Sequence, residues 1–85
     1  MYEIFLTNSA TKDYHKIPDN DTDRITTAID KLQKNPRPKG YKKLKNRNAY
    51  RIRAGDYQII YEIEDKKLVI LVIRIRHRRE VYKNI

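Results

Sequence analysis

The pattern of apolar and polar positions changes period once along the chain. Residues 2–7, Tyr-Glu-Ile-Phe-Leu-Thr, are rich in β-forming side chains and predict a first strand. Ala10, Tyr14 and Ile17 then fall at helical spacing, with Ser9 as a candidate N-cap and Pro18 as the stop, which predicts a short helix over about 10–17. The Asp19-Asn20-Asp21 stretch offers a cap for a second helix. In it Ile25, Ala28, Ile29 and Leu32 stand at i, i+3, i+4 and i+7, one apolar stripe. Asp21 and Asp23 suit the positive end of that helix dipole and Lys31 and Lys34 the negative end. Asn35-Pro36 closes it. Residues 36–46, with two prolines, one glycine and several lysines, read as a basic loop.

Beyond the loop the period becomes two. Tyr50-Arg51-Ile52-Arg53 alternates, Ala54-Gly55-Asp56 reads as a tight turn, and Tyr57, Ile59, Tyr61 and Ile63 share one face of the next strand. After a turn at Glu64-Asp65-Lys66, residues 67–76 form a long strand whose first half, Leu68 to Ile73, is apolar enough to be a buried sheet centre. The order β-α-α-β-β-β predicts a single α+β domain over 1–85, with two N-terminal helices packed on a small antiparallel sheet. With Tyr50, Ile52, Tyr57, Ile59, Tyr61, Leu71, Ile73 and Ile75 turned to the helices, Arg51, Arg53, Gln58, Ile60, Arg74 and Arg76 face away.

Charge adds a direction to this outline. Twenty Lys and Arg against eleven Asp and Glu give +9, which calls for an anionic partner. The excess is unevenly placed. Residues 1–30 hold three basic and six acidic groups, whereas residues 31–55 hold ten basic groups and no acid. With 85 residues the chain is one domain at most, and a domain that small gains from a partner. Cysteine is absent, which excludes disulfides and thiolate metal sites, and the two histidines, His15 and His77, are not at metal-ligand spacing. No metal and no cofactor is expected. No apolar run reaches the roughly 18 residues of a membrane span, and the first residues lack the basic lead of a signal peptide. The expectation is a cytoplasmic protein with no membrane partner.

In a meander the first and third strands run the same way, so Arg51, Arg53, Arg74 and Arg76 gather at one end of the sheet, with His77, Arg78 and Arg79 extending the cluster. Every basic residue from Arg47 to Arg79 outside the Lys66-Lys67 turn is arginine. A face kept charged only for solubility would use lysine equally well, whereas guanidinium matches phosphate in a planar, bidentate way. This favours nucleic acid or a nucleotide as the ligand, and the candidates for binding it are Lys43, Lys45, Arg47, Gln58, Arg74 and Arg76. Tyr82, among charged residues past the last strand, either stacks on a base or packs against the sheet edge.

The string Tyr50-Arg-Ile-Arg-Ala-Gly-Asp-Tyr-Gln-Ile-Ile-Tyr-Glu62, followed by His77-Arg-Arg-Glu-Val-Tyr82, closely resembles the RelE/ParE toxin superfamily of bacterial and archaeal toxin–antitoxin modules. The helix pair, the Lys34-Asn35-Pro36 stop and the Lys43-Leu44-Lys45 approach also fit, so the resemblance covers essentially the whole chain. The ending leans to RelE-like ribonucleases over ParE-like gyrase poisons. The resemblance implies a microbial-ribonuclease-like fold and a toxin that enters the ribosomal A site and cleaves mRNA there, the ribose 2′-hydroxyl attacking the adjacent phosphate. It implies an acidic, adjacently encoded antitoxin that covers the basic face, and operator DNA as a partner only together with that antitoxin. Carried over by position, the catalytic set is Arg51, Arg53, Arg78, Arg79 and Tyr82.

Two positions depart from the RelE archetype. It has lysine where Arg51 stands, a candidate general base, and arginine is never deprotonated in proteins. It also has arginine where this chain has Gln58. His77 has the one side chain near the cluster that titrates near neutrality, so it joins the catalytic candidates as acid or base. The alternatives are a ParE-like inhibitor of DNA gyrase, or a catalytically weak relative that acts by binding antitoxin or operator.

Overall fold

A computed structural model describes residues 1–45 and 47–79. Five strands and two helices follow in the order β1 (Glu3–Leu6), α1 (Asn8–His15), α2 (Asp19–Lys31), β2 (Lys42–Lys43), β3 (Tyr50–Ala54), β4 (Tyr57–Glu64) and β5 (Val69–His77). They form one sheet in the order β1-β5-β4-β3-β2. The sheet is antiparallel except at β1, which pairs parallel with β5. The α+β class with two helices on a mostly antiparallel sheet is as the sequence predicts.

The helix start differs from the sequence expectation. Thr7, not Ser9, caps α1: its Oγ1 accepts from the Ala10 N–H at 3.1 Å and donates to the Ile73 carbonyl at 2.8 Å. One hydroxyl thus serves the helix end and the neighbouring strand, a benefit that Ser9 inside the helix cannot provide. In α2 the cap position is Pro18, with no side-chain cap, and Asp19 and Asp21 occupy the first turn, where carboxylates suit the dipole. The stripe on α2 holds: Ile25, Ile29 and Leu32 are buried, and Ala28 is partly so. They pack on Ile52, Ile59, Tyr61, Ile63, Ile70, Val72 and Ile75 from the sheet.

The basic loop contains a strand that the pattern hides. Lys42 and Lys43 pair with Arg51 and Tyr50, and nothing apolar marks a two-residue exposed edge. At the β3–β4 turn, Gly55 has φ +62° and starts a two-residue connection, a role that needs glycine.

A correction falls on β5. The residues expected to face the helices were Leu71, Ile73 and Ile75, but those buried are Ile70, Val72 and Ile75. The β4–β5 register slips between Ile60, which pairs with Arg74, and Tyr61, which pairs with Val72. Ile73 is the extra residue of a β-bulge there. Parity changes across it, so Leu71 belongs to the outer face while Ile75 remains inside.

Candidate nucleic-acid interface

The inner row Ile52–Ile59–Ile75 lies across β3, β4 and β5 and is buried against the helices. The rows on either side of it therefore face away. One is Arg53–Gln58–Arg76; the other is Lys42–Arg51–Ile60–Arg74. Cross-strand partners stand about 5 Å apart at Cβ, so Arg53 and Arg76 flank Gln58. Gln58 is 6% exposed, a polar group set into the floor between two arginines. Lys42 was not among the sequence candidates. Its place beside Arg51 follows only from the unforeseen strand β2. A cleft of about 320 Å³ runs along this edge, lined by Gly40, Lys42, Arg51, Ile52 and Arg53.

The structure separates the other candidates. Arg74 stands in register with the row, yet its guanidinium reaches sideways to α1. Nε donates to Asp13 Oδ2 at 2.8 Å and Nη2 to Asp13 Oδ1 at 3.2 Å. The same carboxylate accepts from the Ile75 N–H at 2.9 Å, on the stretch of β5 that β1 no longer covers. Arg74 thus stands in the outward row while its guanidinium is ion-paired with Asp13. No local pattern links residues 13 and 74, so only the fold could show this pair.

His77 is also displaced from the expected cluster. It lies two residues beyond Ile75, on the helix side, opposite Tyr57. Its ring meets the Tyr57 ring edge-on at 5.1 Å, and Nδ1 accepts from the Arg79 N–H at 3.1 Å. This assigns the remaining proton to Nε2. Arg78 and Arg79 are exposed at the end of β5; the Arg78 N–H bonds the Asp56 carbonyl at 2.7 Å and its guanidinium lies 3.9 Å from the Asp56 carboxylate. Lys43, Lys45 and Arg47 line a shallow cleft with Leu44 and Asn48, not the arginine rows. Tyr82 lies outside the described residues. Among the described residues no group of three His, Cys, Asp or Glu could hold a metal ion, and no helix is long and apolar enough to cross a membrane.

Arginines fixed on a sheet stabilise anionic charge, and Lys42 stands in the same row as Arg51. What kind of protein presents such a face is answered by its relatives. The family model of the ParE toxin of type II toxin–antitoxin systems, parDE, matches residues 4–82. The chain belongs to the RelE/ParE toxin superfamily. It is 28% identical over 85 residues to Toxin RelG of Mycobacterium tuberculosis, covering 96% of this chain and 97% of that one. Its fold superposes on the RelBE2 toxin–antitoxin complex of M. tuberculosis with a TM-score of 0.80 at 25% identity, over 91% of this chain and 98% of that one. It also superposes on the RelB–RelE antitoxin–toxin complex of Methanococcus jannaschii, with a TM-score of 0.72 at 30% identity, over 93% and 95%. As a RelE/ParE toxin, the protein is the toxin of a type II toxin–antitoxin system.

Proposed function

We propose that residues 1–85 form one toxin domain that cleaves mRNA in the ribosomal A site, and that Arg51, Arg53 and Arg76 hold the scissile phosphate. The observation that supports this reading is their placement on one face of adjacent strands, with Lys42 beside them. The 2′-oxygen bonds to phosphorus as the bond to the 5′-oxygen breaks, leaving a 2′,3′-cyclic phosphate and a 5′-hydroxyl. Negative charge builds on the phosphoryl oxygens in between, and fixed guanidinium groups stabilise it without reorganising. The 2′-hydroxyl loses a proton and the 5′-oxygen gains one. Because arginine does neither, the transfers fall to other groups, those of the ribosome and its RNA and Lys42 beside Arg51. Arg78, Arg79 and Tyr82 extend the contact with the substrate strand. The partner that restrains the toxin is an acidic, adjacently encoded antitoxin, since the M. tuberculosis and M. jannaschii relatives are toxin–antitoxin complexes. The toxin reaches operator DNA only with it. The compartment is the cytoplasm, where ribosomes are.

The predominance of arginine, which does not exchange its proton, in the rows supports a second reading, a ParE-like toxin that binds DNA gyrase and does no chemistry. Purified toxin added to ribosomes programmed with a defined mRNA separates the two by mapping new 5′ ends. Cuts at A-site codons are expected. Arg51→Ala, Arg53→Ala and Arg76→Ala should each lower the rate roughly 10²–10³-fold, as loss of one transition-state donor does. His77→Ala should stay within a few-fold of wild type. Intact mRNA together with lost gyrase supercoiling would replace the ribonuclease reading with the second one.

A further inference from the structure

A ladder of tyrosines runs outward from the core at the β2 edge, on the face opposite the arginines. Tyr61 begins it: fully buried, with its hydroxyl donating to the Pro36 carbonyl at 2.7 Å. Tyr50 follows, 5.9 Å from Tyr61 between ring centroids, and Tyr41 comes next, 6.0 Å from Tyr50. Arg37 lies over the Tyr50 ring at 5.4 Å and is held there by both Asp65 carboxylate oxygens, at 3.0 and 3.3 Å. The ladder ends in solvent, because Tyr41 is 39% exposed. A turn closed by the Tyr41 N–H on the Pro38 carbonyl fixes the backbone that carries that last ring.

The surroundings of Tyr41 are cationic. Lys39, Lys42, Lys43, Lys45 and Arg47 are all exposed, and residues 31–55 contain no acid. Strand β2 joins this surface to the arginine face. Its two residues point to opposite sides of the sheet: Lys42 pairs with Arg51 on the outer face and Lys43 with Tyr50 on the ladder side. A strand of phosphates leaving the arginine rows therefore meets Lys42, crosses a two-residue edge and meets Lys43 beside the exposed ring. The Asp65 carboxylate on the far side of Arg37 disfavours phosphate there, which directs the path toward Tyr41 and Lys43.

We propose that Tyr41, with Lys43 beside it, is a stacking subsite for a base of single-stranded RNA that wraps from the arginine face around the β2 edge. An exposed aromatic ring among cations is how single strands are held without sequence readout. The subsite rests on the reading that the toxin binds RNA, but not on its cutting it.

The test is fluorescence anisotropy of a labelled ten-nucleotide single-stranded RNA carrying 2′-O-methyl riboses, which cannot be cleaved, titrated with full-length toxin over a range of salt. Tyr41→Ala should weaken binding about tenfold, the loss of one stacked base, with an unchanged salt slope. Tyr41→Phe should stay within twofold of wild type. Lys43→Gln should reduce the slope of log affinity against log salt by about 0.7. Affinity of Tyr41→Ala within twofold of wild type, or a Phe variant as weak as the Ala variant, overturns the subsite. So does weakened antitoxin capture with RNA binding intact, which would give the surface to a protein. If Tyr41→Ala melts early, the Lys43→Gln slope decides, since that exposed lysine does not support the core. A failure of the ribonuclease reading appears instead as uncut mRNA on programmed ribosomes, with these affinities unmoved.

Discussion

Leu68 has φ +54°, the one positive value at a non-glycine position among the described residues. It closes the β4–β5 turn, donating its N–H to the Asp65 carbonyl while its own carbonyl accepts from the Glu3 N–H. At 47% exposed, its side chain recovers little by burial, while an L-residue in this region costs about 1–2 kcal/mol. Leu68→Asn should keep the turn and raise the unfolding free energy by roughly 0.5–1 kcal/mol, read as a higher urea midpoint at constant slope. The left-handed turn could not be read from a leucine, because its residue type argues against it. The same limit applies to Arg74 and His77. Their charge was visible in the sequence; the direction of their side chains was not, since it depended on Asp13 and on strand parity.

Element by element, the regular patterns were legible and the junctions were not. The α2 stripe and the β3–β4 hairpin carry strong periodic signals, and both stand as read. Strand β2 has no apolar residue, and the bulge at Ile73 interrupts a run so uniformly apolar that either parity suited it. One junction is open to measurement. Asp13 ties α1 to β5 through the Arg74 guanidinium and the Ile75 N–H. Asp13→Ala should cost about 2 kcal/mol, because hydrogen bonds to a charged group are lost and their donors are left at a partly covered site. Hydrogen exchange should speed up first at the Ile75 amide, with α2 protected as before. Uniform acceleration across the sheet would mean that the carboxylate does not act locally.

For the whole molecule, pH acts through the ladder and its surroundings. Burial pushes the Tyr61 hydroxyl up to about 12. Its folded value thus exceeds the unfolded one near 10, so its contribution is complete below pH 10 and is lost as pH rises toward 12. Stability should therefore fall between pH 10 and pH 12, and fall less in Tyr61→Phe, as denaturant titrations of both proteins will show. Asp65 moves the other way: the hydrogen bonds from Arg37, then from Tyr2, hold its carboxyl below the usual value. That contribution is present above the unfolded carboxyl value and is lost as pH falls through the lowered one.

The sequence alone determined the class of this protein and the basic character of the surface it presents. Hydrophobic period set helices before strands, and net charge with arginine in place of lysine supplied the grounds on which an anionic, phosphate-bearing target is proposed. Both are properties of local composition and spacing, which survive in one dimension. Tertiary structure decided which cations act together. Arg51, Arg53 and Arg76 share a face because three strands align in register, Arg74 is neutralised by a residue 61 positions away, and Lys42 enters through a strand too short to show a pattern. Such choices turn on pairing register and on contacts between distant segments, and spacing along the chain does not encode them.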